Sequence, residues 1–330
     1  MRRRYLLLSW ALSAAGALAQ TVDQEPAARS SPLVAARIEA LRSADPTDRA
    51  HAAWRLAGRG DALAAIPALI GLLDDDRPVD ADRYRTDGPG ELRDRWTSPA
   101  EEAAAALATL GAPAVEPLTA ALEHQNASVR RHVIWTLGAI GDPGGFDAVL
   151  RALADPQPAV RAQAAWSTAL FRNPAAEDPL ILALRDAEPL VRRQAARALG
   201  AMRALRAIDP LRRALQDADP DHRADVAWAL GAIGSPQPAP DLISALDDAD
   251  ARVRAKAAWA LGVIAAPEAV LDLMGSLGDA DSGVRWESAR ALGAIGDPRA
   301  ARALAVALAD LDAGVRDQAA RALGLVHRRE

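Results

Sequence analysis

Cysteine is absent from the sequence, so disulfides, thiolate metal sites and thiol nucleophiles are excluded. Lysine is nearly absent: Lys256 is the single one among 39 basic residues. Aromatics amount to 4%, and eight of the twelve are tryptophan. No GxSxG elbow surrounds a serine, and none of the five histidines (His51, His124, His132, His222, His327) forms an HExxH pair. The basic excess of a nucleic-acid binder is missing too, because the formal charge is −5. What is present is alanine and leucine, the strongest helix formers, which dominate a hydrophobic half of the 330 residues. That composition predicts an all-α protein held together by packing.

The N-terminus reads MRRRYLLLSWALSAAGALAQ. Three arginines precede a short apolar run, and Ala17-Leu18-Ala19 has the small-x-small form of a cleavage site. We expect a secretory signal peptide over 1–19, a flexible lead-in over 20–31, and an exported protein, periplasmic or secreted. The run falls short of the ~20 residues of a membrane span, and no cysteine follows it for lipid attachment. Losing residues 1–19 removes three arginines and no acid, which moves the charge from −5 to −8.

The dominant signal is a repeat. VRRHVIWTLGAIGDP begins at Val129, VRAQAAWSTAL at Val160, VRRQAARALGAM at Val191, VRAKAAWALGVI at Val253, VRWESARALGAIGDP at Val284 and VRDQAARALGLV at Val315. HRADVAWALGAIGSP from His222 fills the intervening place. The arginines Arg130, Arg161, Arg192, Arg223, Arg254, Arg285 and Arg316 follow one another every 31 residues. Degenerate copies begin at Arg49 and at Glu101, and Ser31–Ser43 reads as the opening helix. Each copy predicts two helices, for example Ala251–Ile264 and Glu268–Leu277. The first of these carries Val253, Ala257, Ala260, Leu261 and Ile264 on one stripe. Asp250 stands where it would cap that helix, and Gly141-Asp142-Pro143, Gly234-Ser235-Pro236 and Gly296-Asp297-Pro298 are stop signals. Neither helix of a pair buries its stripe alone, so neighbours must stack. The expectation is a right-handed α-solenoid of about nine helix pairs over 32–330, interrupted by an insertion at 74–98.

The pattern VRxxAAxALGxIGDP resembles the HEAT-like repeats of phycobilisome lyases, over roughly residues 31–330. A second shared mark is an aspartate six residues before each arginine: Asp155, Asp186, Asp217, Asp248, Asp279 and Asp310. The resemblance implies that these carboxylates and Arg161, Arg192, Arg223, Arg254, Arg285 and Arg316 are rungs of a ladder between turns. The pattern departs at His124, where an aspartate is expected. The His-Glu dipeptides of helical-repeat hydroxylases do not occur.

Advancing about 100° per residue from Val253 puts Ala255, Lys256, Trp259 and Val263 opposite the core stripe. The resemblance implies that this face lines the concave side. The Trp259 phase recurs at Trp54, Ala108, Trp135, Trp166, Arg197, Trp228, Arg290 and Arg321, with Arg131, His132 and Trp286 in neighbouring phases. Trp and Arg are enriched at interface hot spots, so this column is a candidate binding ridge. Equally, each indole could lie flat over the next helix and seal the gap. The insertion DDDRPVDADRYRTDGPGELRDRWTS carries Tyr84 and Trp96, and is expected either to fold back on the repeat or to stay disordered. The functional expectation is a non-catalytic scaffold for a protein or peptide, with no cofactor, metal or nucleic acid and no membrane span after cleavage. The alternative is a bilin-lyase-like enzyme or chromophore chaperone.

Overall fold

The computed structural model describes residues 31–57, 60–84 and 96–327. The expected signal segment, most of the lead-in and residues 85–95 of the insertion lie outside the described residues. The chain divides into two compact units, Met1–Phe171 and Arg172–Glu330.

The first unit pairs α1 (Pro32–Ala40) with α2 (Pro46–Leu56), α3 (Ile66–Gly71) with α4 (Pro99–Leu110), α5 (Val115–Ala120) with α6 (Ala127–Ile140), and α7 (Phe146–Arg151) with α8 (Pro158–Leu170). The second pairs α9 (Glu177–Ala183) with α10 (Pro189–Met202), and α11 (Ile208–Ala214) with α12 (Pro220–Ile233). It continues with α13 (Ala239–Ser244) and α14 (Ala251–Val263), α15 (Val270–Ser276) and α16 (Ser282–Ile295), and α17 (Ala301–Ala307) and α18 (Ala313–Val326). These are nine pairs among the described residues, an all-α solenoid. The helix expected over Glu268–Leu277 is a 3-10 turn, Pro267–Ala269, running into α15. The same tight lead-in opens α5 and α7, so the first helix of a pair is short and the second carries the stack.

The second helices pack in series, α2 on α4 on α6 on α8 in one unit and α10 on α12 on α14 on α16 on α18 in the other. Their apolar stripes explain why. Val253, Ala257, Ala260 and Leu261 are fully buried, as are the corresponding Val284, Ala291 and Leu292. Asp250 caps α14 by accepting the Arg252 amide at 2.8 Å. The stop glycines Gly141, Gly234 and Gly296 take φ of 68°, 80° and 72°, the left-handed turn that ends a helix.

Where that glycine is missing the chain makes the same turn under strain: Arg172, Arg203 and Ala265 adopt φ of 52–54°. At Ala265 the turn closes with the Ala266 amide on the Leu261 carbonyl at 3.1 Å. A left-handed alanine costs roughly 1–2 kcal/mol, and glycine returns part of that as unfolded-chain entropy. Ala265→Gly is therefore expected to stabilise the second unit by about 0.5–1 kcal/mol, read as a higher urea midpoint with unchanged slope.

The insertion contributes a two-stranded antiparallel ribbon, β1 (Val79–Asp80) and β2 (Trp96–Thr97), with Val79 opposite Thr97 and Asp80 opposite Trp96. Its described ends fold back onto the second helices of the first unit.

Candidate binding face

The rungs are built first. Each ladder arginine donates from Nη1 to the carbonyl of the residue six positions earlier, and in Arg130, Arg223, Arg254 and Arg285 the Nε–Nη2 fork reaches the aspartate 25 positions later. Arg223 shows the geometry: Nη1 to the Asp217 carbonyl at 2.8 Å, Nε and Nη2 to the two Asp248 oxygens at 2.8 Å each. Arg130–Asp155, Arg254–Asp279 and Arg285–Asp310 repeat it. Arg192 meets Asp217 at 3.0 Å. Arg316 keeps the carbonyl contacts to Asp310 and Leu311, and Arg161 those to Asp155 and Pro156. At His124, where the aspartate is lacking, Arg130 still takes the backbone carbonyl at 2.8 Å. Asp155, Asp217, Asp248, Asp279 and Asp310 are held below the ordinary carboxylate value. For Asp248, Asp279 and Asp310 the arginine hydrogen bond is the leading cause.

One rung escaped sequence reasoning. Arg49 is buried and forks onto Asp75 of the insertion, Nε at 2.8 Å and Nη2 at 2.6 Å. The interval is 26 residues rather than 25, and three consecutive aspartates hid which one serves.

With the rungs holding the second helices, the opposite phase of each faces outward. In the first unit the insertion covers the start of that face. The Tyr84 ring stacks on His51 (5.4 Å, 23°) and lies 6.1 Å from Trp54, and its hydroxyl donates to buried Glu102 at 2.8 Å. Trp54 packs against the buried cluster of Ala50, Val79, Ala81 and Tyr84, with Arg55 over its outer side at 6.0 Å. Asp76 accepts from Ser128 and lies 3.5 Å from His132 Nε2 and 3.8 Å from Arg131 Nη2. His132 is buried, with Nδ1 3.0 Å from the Leu73 carbonyl. Neither Arg131 nor His132 therefore projects freely from the ridge: both are tied to the insertion. Trp96 stands outside, 56% exposed. Trp135 and Trp166, on α6 and α8, are half-buried.

The second unit shows what the indoles do. Trp228 and Trp259 are stacked, ring centroids 6.3 Å apart and 19° between planes, and both are half-buried. Their inner edges lie against glycines of the preceding second helix. A Cβ built on Gly200 would meet Trp228 Cζ3 at 2.9 Å, and one on Gly231 would meet Trp259 Cζ3 at 2.7 Å. For this pair the two readings of the column are compatible: each of the two indoles seals a helix crossing with one part and leaves another part to solvent. Most of the arginines of this face are internally engaged. Arg197 and Arg193 share Asp225, Arg193 also meets Asp221, and Arg252 joins Asp221 to Asp250. Arg290 bonds Glu287 at 2.7 Å and the Trp259 carbonyl at 3.2 Å. Lys256 and Arg321 are exposed, as is Val263, and Trp286 is half-buried. Among the described residues no set of three or more His, Asp or Glu side chains converges as a metal site. No described helix is long and apolar enough to cross a membrane.

A family model for HEAT repeats matches residues 92–169, 146–217, 177–251 and 239–324. The chain is a HEAT-repeat protein. No curated protein matches this HEAT array in sequence. Solved structures match its fold. An engineered protein is 23% identical over 89% of this chain and 88% of its own, with a TM-score of 0.51. YibA of Escherichia coli is 20% identical over 93% of this chain and 100% of its own, with a TM-score of 0.58. Importin beta is 13% identical over 90% of this chain, which spans 47% of importin beta, with a TM-score of 0.64. At these identities the likeness is one of fold.

Proposed function

We propose that this HEAT array is a non-catalytic scaffold that holds a protein or peptide partner on the face of its second helices, outside the cytoplasm. HEAT solenoids generally bind proteins, and the leader-like N-terminus supports export. The observation that carries the reading is the stacked Trp228–Trp259 pair, which keeps part of its surface in solvent. Sealing a crossing does not require an indole to keep any surface in water, and partly exposed aromatic side chains are what interfaces use. The recognition groups are then Trp135 and Trp166 in one unit, and Trp228, Trp259 and the exposed Lys256 in the other. Arg131, Arg197 and Arg290 act from behind, fixing the helices and the indoles, because their guanidinium groups are already engaged within the chain.

Selection of peptides from a random display library on the purified protein tests this. Peptides selected on the wild type are expected to bind a Trp228→Ala/Trp259→Ala variant roughly thirty-fold more weakly, the effect of losing a hot spot of about 2 kcal/mol. Circular dichroism checks that the variant keeps its helices. Equal binding by a folded variant rejects the face.

A further inference from the structure

One buried group has no part in the ladder or the indole face. His222 opens α12 at the position that Val129, Val160, Val191, Val253, Val284 and Val315 occupy in the other copies, and those valines are buried to 3% exposure or less. His222 is likewise 0% exposed, and neither Nδ1 nor Nε2 has a hydrogen-bond partner among the described residues. Buried polar atoms are normally paired, so an imidazole with both nitrogens empty in a valine site stands out.

The charges acting on the ring are Asp217 and Asp219 from the preceding turn, Asp225 one turn along α12, and Arg192 from α10. The acids are already committed: Asp217 to Arg192, Asp219 to the Asp221 amide, and Asp225 to Arg193 and Arg197. On the other neighbours, α11 packs against α12 with Ile208 and Leu211 as its buried residues, while Arg212 pairs with Asp209 and Asp241 and Arg213 is exposed. From α14 the buried residues are Val253, Ala257, Ala258, Ala260, Leu261 and Gly262, while Arg252 and Arg254 are paired with aspartates and Lys256 is exposed. A proton on the ring would find no uncommitted carboxylate. Burial accordingly holds the imidazole below its ordinary value; Asp217 opposes that shift and Arg192 adds to it.

We propose that His222 is an acid-sensitive joint in the second unit: as it takes up a proton, α12 loosens from α10, and Trp228, six residues along the same helix, leaves its seat over Gly200. The sign follows from linkage. In the closed state the ring resists protonation, whereas an opened α12 protonates near pH 6.5, so falling pH favours the open form. Trp228 belongs to the candidate binding face, but the joint itself holds whether or not that face takes a partner.

Hydrogen exchange localised to α12, corrected for intrinsic rates, reads the joint directly in the full chain between pH 7.5 and 5. One proton taken up per opening lowers protection by up to tenfold per pH unit below about 6.5. His222→Val, the residue of the other copies, is expected to remove that slope. His222→Gln, polar but not titrating here, is expected to lower protection at every pH and to show no slope. A wild-type α12 with flat protection across this range, or a slope that persists in either variant, overturns the proposal.

Discussion

Gly231→Val is expected to uncouple α12 from α14 and to be the most damaging single substitution in the second unit. A Cβ on Gly231 would lie 2.7 Å from the Cα and Cβ of Ala260 as well as from Trp259 Cζ3. Two of these atoms belong to the neighbouring helix close to its axis, so no rotamer change relieves the clash and the helices must separate. Gly200, Gly262 and Gly293 meet Ala229, Ala291 and Ala322 at the same close range, which makes this a crossing repeated along the unit. Overpacking costs about 1–3 kcal/mol even where side chains yield, and here backbone must move, so the upper end or beyond is expected. Helix propensity acts in the opposite sense. A residue other than glycine gains at most about 1 kcal/mol in a helix interior, which is too little to compensate. Gly324 supplies the control, because it holds the same phase in α18 and an added Cβ would meet nothing within 4 Å. Gly324→Ala is therefore expected to be neutral or to stabilise by up to about 1 kcal/mol. Thermal and urea melts of the pair decide. If Gly231→Val melts like Gly324→Ala, the close crossing is not limiting stability.

The second large effect belongs to a rung. Arg223→Ala strands Asp248 without its fork and leaves the Asp217 and Ala218 carbonyls without their donor. The two side chains are 15% and 14% exposed, so the stranded carboxylate is only partly rehydrated. Breaking such a pair from one side costs about 3–5 kcal/mol when fully buried, and about 2–4 kcal/mol is expected at this exposure. Arg223→Lys is expected to recover less than half, because an ammonium cannot bond both carboxylate oxygens and the carbonyls in one plane. Stability in repeat arrays is a sum of units and interfaces, so the loss should appear as early melting of the α11–α14 region rather than as a uniform shift. Acid should mimic the mutation. The folded carboxyls of Asp248, Asp279 and Asp310 lie below their unfolded value, so their contribution is fully present above about pH 4 and is lost as pH falls through the folded values. The His222 effect sets in below about pH 6.5, at higher pH than this window, so its onset can be followed separately in one pH series. A rung variant that melts like the wild type at pH 7 would show that the ladder is ornamental.

Much of the fold was legible because the chain states it repeatedly. A 31-residue interval, a Val-to-Ile stripe and a stop glycine identify the second helix of each pair, and a single copy read with a 3.6-residue period predicts its buried face. The ladder was legible in membership but not in pairing. The resemblance implies a ladder between turns without saying which aspartate meets which arginine, and the structure supplies it: Arg223 takes the backbone carbonyl of Asp217 and the carboxylate of Asp248 from the next turn. The candidate face was legible only in direction. Phase puts Arg131, His132, Arg197 and Arg290 beside the indoles, and the structure ties three of them to carboxylates and His132 to a buried carbonyl.

By itself the sequence determined that this protein is a stack of HEAT hairpins, because each helix carries more apolar surface than it can bury alone and the surplus recurs at one interval. It also determined which side of each second helix lies opposite the core stripe, since helical phase is a local property, but not which residues on that side stay in solvent: His132 is buried. Tertiary structure decided what those residues meet: that Asp75 and Asp76 of the insertion reach Arg49 and the start of α6, that Tyr84 closes over Trp54, and that Trp228 and Trp259 stack above glycines. These contacts join segments some 25 to 60 residues apart in the chain. A contact across that distance depends on how far one helix stands from the next, and that spacing is set by the glycine crossings and arginine rungs acting together, not by any one repeat.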